Sequence, residues 1–399
     1  MDKTHNQLTG PPKDRLKIAI LVRRFLTTGG MERYCLEVTR RLAVKHDVHV
    51  FAQEWSWKGD ERITFHRIPK FFTKPSFLNQ LVFSYFIRKY LDESFDIIHS
   101  HERVTRFDTL TIHCPCFRTY ITEQKNRLKR IFIWLSVILS PRKLAYLWLE
   151  KKQFIYHPQR LMIAVSDKVK ENVQANYPLP DSYFGLAFPG VDSFMIKRDD
   201  DNNREKIRSE LGIDKDDLVI LFVGTEFKRK GLDSLLRGFS LINRPGMKLV
   251  VAGGGKPERY IRLSKKLDIE DYVIFLGLVE DIENIYAISN IYILPTLSDP
   301  AGMAPVEAMA AGVPTIISSS KYAGSAEQIK NEEALILENP DQPQDIADSL
   351  SKMMDESYRM SLSLKGRQFA KQLTWEKTTN ETLAIYHRIL QLKSSEGIK

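Results

Sequence analysis

The sequence predicts an α/β protein built from two Rossmann-like, doubly wound domains, and three observations carry that prediction. The chain has 399 residues, more than one ordinary core accommodates, so two domains of roughly 150–200 residues are expected. Short apolar runs alternate with stretches of helical periodicity along both halves, the rhythm of parallel sheets covered by helices. Finally, Ser298–Pro314 reads Ser-Asp-Pro-Ala-Gly-Met-Ala-Pro-Val-Glu-Ala-Met-Ala-Ala-Gly-Val-Pro between the apolar runs Ile291–Leu294 and Thr315–Ser318. That is a strand, a loop and a helix leading to a second strand, with the loop at the carboxyl end of a strand, where α/β proteins bind ligands.

In the first half, residues 1–15 are polar with Gly10-Pro11-Pro12 and read as a disordered lead-in. Lys17–Val22 is a buried strand, and Met31–Lys45 carries Tyr34, Leu36, Val38 and Leu42 at helical spacing. Between them, Gly29 and Gly30 let the backbone approach a ligand at a helix N-terminus; a tight turn with no ligand is the competing reading. Val48–Ala52 reads as a strand, Leu78–Leu91 as a helix and Asp96–His99 as a third strand. The polar residues that follow, His101, Glu102, Asp108 and His113, are expected at the C-terminal edge of that strand, with His101 and Glu102 in solvated loop. Leu161–Ala164 is a strand, and Ser166 caps a helix over Asp167–Asn176. The polar run Arg198–Arg204 reads as a linker.

In the second half, Val219–Val223 runs into Gly224-Thr-Glu-Phe-Lys-Arg229-Lys230-Gly231 and then a helix over Leu232–Leu241. Adjacent Arg and Lys between a strand end and a helix start suit a diphosphate, since the Arg fork meets two oxygens and the Lys supplies a point charge. Lys248–Gly255 lacks the spacing of a dinucleotide fingerprint, so NAD is not inferred. In the Ser298–Pro314 stretch, Asp299 opens the loop, the amides near Gly302 and Met303 are positioned to face an anion, and Glu307 lies about one turn into the helix. Two carboxylates so placed bracket one ligand; the competing reading is a helix cap and a lysine partner. Pro343–Met354, Tyr358–Gln372 and Trp375–Leu392 close the chain as helices.

The residues Asp299, Glu307, Ala308, Ala310, Gly312 and Pro314 resemble the signature of the retaining family-four glycosyltransferases of GT-B fold. Gly29-Gly30-Met31-Glu32-Arg33, Phe188–Asp192 and Arg229-Lys230-Gly231 resemble other motifs of that family, in the same order. The resemblance implies two domains facing a cleft: an acceptor-side domain over residues 1–196, a nucleotide-sugar-binding domain over 197–374, and a last helix and tail over 375–399 crossing back. It implies that Glu307 binds the donor ribose, that Asp299, where Glu is usual, contacts the sugar, and that Gly29, Gly30, Gly302, Met303 and Ala304 line the donor. His113 is implied to contact the sugar and Asp108 the acceptor. Many members carry an Arg five positions before the Lys; that position is Thr225 here, so Arg229 supplies the second charge beside Lys230. The implied activity is metal-independent, retaining hexosyl transfer from a nucleotide sugar to a glycolipid or oligosaccharide acceptor, with no cofactor. Within the family the chain looks most like the lipopolysaccharide-core hexosyltransferases of cell-envelope synthesis. The competing function is a nucleotide-sugar-binding regulatory or scaffold protein.

The net charge of +9 is concentrated. Lys125, Arg127, Lys129, Arg130, Arg142, Lys143, Lys151 and Lys152 face one acid, Glu150, between Gln124 and Lys152. The apolar run Ile131–Leu139 among them is far shorter than the roughly 20 residues that cross a bilayer. Basic residues with Trp, Tyr and Leu suit an anionic membrane surface, and entry of the apolar side chains into the core is the alternative. No nucleic-acid reader motif is present, so nucleic acid is not an expected partner. Cys35, Cys114 and Cys116 make no disulfide framework, and the N-terminus lacks a signal-peptide core, which fits a cytoplasmic protein on the inner face of the membrane. His113-Cys114-Pro-Cys116 is too crowded for a zinc site.

Overall fold

The computed structural model describes residues 15–396 except 28, 57–58, 73, 123–126, 193–200 and 243–244. Two compact units emerge from the contacts. The first comprises Met1–Ala164, Lys170–Ala187 and Thr379–Lys399, and the second Val165–Val169 and Phe188–Thr378. The helix Trp375–Glu396 therefore contributes its first residues to the second unit and the rest to the first. The passage at Ala187–Phe188 precedes the expected linker, and Asp201–Glu210 within and beyond that polar run is a helix.

The first unit is a seven-stranded parallel sheet in the order Ile63–Arg67, Asp47–Ala52, Lys17–Leu21, Ile97–Ser100, Thr109–Ile112, Leu161–Ala164, Phe184–Leu186. The second is a six-stranded parallel sheet in the order Val273–Gly277, Met247–Ala252, Leu218–Val223, Ile291–Leu294, Thr315–Ser318, Leu335–Leu337. Strands such as Leu161–Ala164 and Ile291–Leu294 are buried along their whole length, which is why they read as continuous apolar runs rather than alternating ones. In each sheet the chain starts near the middle, winds to one side, then returns and winds to the other. The direction changes beside Lys17–Leu21 in the first unit and beside Leu218–Val223 in the second. At such a point adjacent connections diverge and leave a crevice outside the strand ends.

Among the strands that the apolar pattern did not reveal are Ile63–Arg67 and Thr109–Ile112. The second matters for the site. Once Thr109–Ile112 is a strand parallel to Ile97–Ser100, Asp108 stands at its start, on the edge of the sheet opposite the one expected. Asp108 there accepts from the amide of Ile98 at 2.7 Å and pairs with Lys393 at 2.8 Å.

The basic segment forms helices Arg127–Ile138 and Pro141–Gln153, the run Ile131–Ile138 meeting the second helix at 96°. Pro141 stands in the first turn of the second helix, and the Ser140 side chain accepts from the amide of Lys143. No single helix among the described residues is long and apolar enough to cross a membrane. Lys125 lies outside the described residues. The apolar side chains do not fill the core. Phe132 is 69% exposed and Leu139 81%, with Ile131, Trp134, Leu135, Ile138 and Trp148 exposed as well, whereas Val137 is buried. Glu150 is turned inward, accepting from the amides of Phe117 and Arg118 and from the Tyr177 hydroxyl, so its charge is spent inside.

In the core of the first unit His99 lies between the Tyr386 hydroxyl at 2.6 Å and Thr111 Oγ1 at 2.7 Å, tying the last helix to the sheet. Burial lowers its pKa to about 3. The unfolded chain takes up this proton near the ordinary histidine value, so the stability held above about pH 6.5 is lost as pH falls toward 3, by about 1.4 kcal/mol per unit. Thermal unfolding followed from neutral to mildly acidic pH should show a shallower loss of stability in His99→Gln than in the native chain; equal slopes would contradict the assignment.

Candidate active site

The second unit gathers its charged residues where its sheet changes direction. Leu218–Val223 ends in the loop that carries Glu226, Arg229, Lys230 and Gly231, and the helix Leu232–Ile242 follows. The neighbouring strand Ile291–Leu294 ends in the loop with Asp299, which leads to the helix Met303–Ala310. The two loops are knitted together. Leu297 donates its amide to Arg229 O at 2.9 Å, and the Thr296 hydroxyl donates to the same oxygen at 3.2 Å. Gly231 has φ +79° and presses on Pro295: a Cβ built there would stand 1.9 Å from the Pro295 carbonyl oxygen, so no other residue fits.

Across this junction the Lys230 ammonium and the Asp299 carboxylate form an ion pair, with side chains only 14% and 7% exposed. Arg229 reaches the same place: Nη1 donates to Ser298 O and lies 4.0 Å from Asp299 Oδ1, while Nε donates to Glu226 Oε2 at 2.6 Å. The Asp299 loop is fastened on its other side, its amide donating to Tyr322 O at 2.8 Å and its carbonyl accepting from Gly324 at 2.9 Å. Ser166 Oγ donates to Pro300 O at 2.6 Å, so the expected helix cap is joined to this loop.

Gly302 precedes the helix with φ +66°, and among the described residues no side chain caps that end. The first amides of the helix are thus directed out of its N-terminus, the arrangement that favours an anion. A Cβ at Gly302 would meet Ser325 Oγ at 2.6 Å and Asp299 Oδ2 at 3.3 Å. Ser325 Oγ and the Tyr292 hydroxyl are buried without a hydrogen-bond partner among the described residues. Burial, together with the charges of Asp299 and Glu307, holds the Tyr292 phenol well above its usual pKa. Glu307 is buried and accepts from the Tyr286 hydroxyl at 3.0 Å; Tyr286 also bonds Ala304 O at 3.3 Å. Beside the first loop a cavity of about 500 Å³ is lined by residues including Phe227, Arg229, Lys256 and Tyr260. Arg229, Lys230, Asp299, Gly302, Met303, Ala304 and Glu307 therefore share one region.

Gly29, Gly30, His113 and Asp108 belong to the first unit. Gly29 flanks and Gly30 opens the helix Gly30–Leu42, near the change of direction in that sheet. Here too an ion pair spans the junction: Arg23 Nε, after Lys17–Leu21, lies 3.1 Å from Glu102 Oε2, after Ile97–Ser100. Glu102 and His101 are buried, not solvated as the sequence suggests. His101 Nδ1 lies 2.9 Å from His113 Nε2, and the His101 and His99 rings pack tilted at 34° with centres 4.3 Å apart. Burial drives His113 down to about pKa 3 and His101 well below its usual value, so these rings are neutral. Asp108 is the exception, on the opposite edge of the sheet, and is not part of this group. Cys35, Cys114 and Cys116 are free thiols, and among the described residues no group of three or more His, Cys, Asp or Glu is placed to hold a metal.

The sequence did not single out Tyr286, Tyr292, Glu226 or Ser325. Tyr292 sits inside an apolar strand and Tyr286 on a buried helix face, so each reads as core, and only the fold brings their hydroxyls to the two carboxylates.

Comparison with known proteins bears on the family and the fold. Residues 28–193 match the model of Glycosyltransferase Family 4 and residues 203–369 that of Glycosyl transferases group 1. The chain is 21% identical to the lipopolysaccharide glucosyltransferase WaaG of Escherichia coli over 88% of this chain and 94% of WaaG. It is 26% identical to an uncharacterized glycosyltransferase of Methanocaldococcus jannaschii over 75% of this chain and 77% of that protein. The crystal structure of WaaG superposes with a TM-score of 0.79 at 20% identity, covering 92% of this chain and 98% of that one. Anabaena HepE in complex with UDP-glucose gives 0.69 at 16% identity, covering 96% and 100%. With two parallel sheets of the WaaG type and a family model on each half, the chain belongs to the GT-B glycosyltransferases of group 1 and family 4, a retaining family.

Proposed function

We propose that the protein transfers a hexosyl unit, with retention, from a nucleotide sugar to a lipid-linked saccharide during synthesis of lipopolysaccharide or another cell-surface glycan. The observation that carries this reading is the Lys230–Asp299 pair beside the uncapped N-terminus at Gly302, with Glu307 one turn further on. A sugar diphosphate needs these groups together: cations for the pyrophosphate, a carboxylate for the ribose and another for the sugar. WaaG is described as a glucosyltransferase and HepE has been solved with UDP-glucose, which makes UDP-glucose the first donor to test.

In this reading, negative charge grows on the β-phosphate as the glycosidic bond breaks. Lys230, Arg229 and the amides near Gly302 stabilise it, and they do so more strongly in the transition state than in the bound donor. Asp299 keeps the Lys230 ammonium in place before the donor arrives, so little reorganisation is needed during the reaction. The departing phosphate oxygen takes the acceptor proton, which requires no protein base and leaves Asp108 without a catalytic role. Glu307, oriented by Tyr286, binds the ribose.

The acceptor is brought by a membrane. The exposed Phe132, Leu139 and Trp148 supply apolar area, Arg142, Lys151 and Lys152 supply charge for anionic headgroups, and the inward turn of Glu150 leaves that charge uncompensated at the surface. The protein then works as a cytoplasmic, peripheral enzyme on the inner face of the cell membrane.

Glu307→Gln should weaken donor use about 10–150-fold through loss of a charge-assisted bond, read as a rise in KM for nucleotide-sugar hydrolysis or transfer. Lys230→Ala should lower kcat more than it raises KM and, by leaving Asp299 buried without its cation, destabilise the fold by about 3–5 kcal/mol. Native rates in either variant would reject the donor site as described, and ligand binding with no turnover in the native chain would favour a regulatory, nucleotide-sugar-binding protein. Anionic vesicles should retain the protein at low salt and release it at high salt; indifference to vesicle charge would remove the membrane reading.

A further inference from the structure

We propose that the first unit holds a second binding site, for a phosphate group, on the edge of its sheet opposite Gly29 and His113. A cavity of about 450 Å³ there is lined by Arg88, Thr105, Arg106 and Arg160. Arg88 stands in the last turn of the helix Ser76–Tyr90, Thr105 and Arg106 lie just before the strand Thr109–Ile112, and Arg160 lies just before Leu161–Ala164. None of these residues belongs to the donor site, and none is placed by the proposed function.

Three arginines line one hollow, and their local partners do not account for it. Arg106 is anchored by carbonyl oxygens, Leu91 O at 2.6 Å and Asp92 O at 3.3 Å, and by Glu93, whose side chain is 96% exposed. Arg160 stacks on Phe107 at 4.7 Å, and among the described residues neither it nor Arg88 has a carboxylate within ion-pair distance. The carboxylate that acts on Arg160 from nearby is Asp108, and its Oδ2 is already taken by Lys393 and the Ile98 amide. Arg88 alone would be explained by the negative end of its helix, and Arg160 alone by its ring. Neither explains why both line one cavity together with Arg106 and Thr105. Like charges brought together repel unless an anion lies between them, and a phosphate accepts from several guanidinium forks and a hydroxyl at once. The phosphate comes either from a soluble phosphorylated compound or from a membrane lipid; the exposed Tyr85 and Tyr90 on the same helix make the lipid source worth a separate arm.

The full-length protein is treated with phenylglyoxal, which reacts with guanidinium groups, and modification at each arginine is followed by mass spectrometry in phosphate and in chloride of equal ionic strength. Phosphate at about ten times its dissociation constant should slow modification of Arg88 and Arg160 about tenfold and leave Arg262, exposed in the second unit and outside the cavity's lining, unchanged. Arg160→Gln should abolish the protection of Arg88; if that variant does not fold, Arg88→Gln with Arg160 as reporter asks the same question. Phosphatidic acid vesicles are compared with phosphatidylcholine vesicles in the absence of free phosphate. Protection by dissolved phosphate assigns a soluble ligand, and protection by phosphatidic acid vesicles alone assigns a lipid headgroup. Equal rates in phosphate and chloride with no effect of either vesicle, or protection of Arg88 that survives Arg160→Gln, overturns the site.

Discussion

The ion pair between Lys230 and Asp299 is the constraint on which the second unit's site depends. Two nearly buried charges are costly to remove from water, and their attraction offsets that cost only when geometry and further hydrogen bonds are good. Both conditions are met through backbone. The two loops that present the pair exchange hydrogen bonds at Leu297 and Arg229, and Gly231 lies against the Pro295 carbonyl with no room for a side chain. The pair is therefore a consequence of two adjacent parallel strands whose connections diverge, which is also what opens a crevice for a ligand.

The first unit repeats the device in a different chemistry. Arg23 and Glu102 bridge the corresponding junction, and beside it a buried group of neutral histidines takes the place that charged groups fill in the second unit. Neutral rings in a hydrophobic surrounding suit contact with a sugar face or hydroxyl better than with a phosphate. The second unit, by contrast, offers cations and an open helix end. Lys230 and Arg229 are thus cations fixed by partners, whereas Arg142, Lys151 and Lys152 are solvated beside exposed aromatic and aliphatic side chains.

The outline was legible because buried parallel strands announce themselves as continuous apolar runs, and because the loops after them carry glycines and charges that a helix N-terminus or a tight approach requires. Arg229, Lys230 and Asp299 stand in such loops and Glu307 in the helix that follows, and it was the family resemblance of the whole stretch that raised them above ordinary caps and ion pairs. Asp108 was misplaced for a specific cause. Thr109-Leu-Thr-Ile112 mixes polar and apolar residues, so it does not read as a buried strand, and without it Asp108 falls on the wrong edge of the sheet. His101 and Glu102 look like solvated loop for the same reason, until His113 and Tyr34 pack on the one and Arg23 and Gln153 meet the other.

By itself the sequence determined the α/β class, the two-domain size, the order of the motifs and the clustering of positive charge, because periodicity, length and local residue chemistry depend only on neighbours along the chain. Only the tertiary structure decided that Lys230 meets Asp299, that the Tyr286 hydroxyl orients Glu307, that Glu150 turns inward, and that Arg88, Arg106 and Arg160 share a cavity. Each of these joins residues separated by many positions and brought together by strand order. Strand order is set by how whole faces are buried against one another, and no local pattern records it.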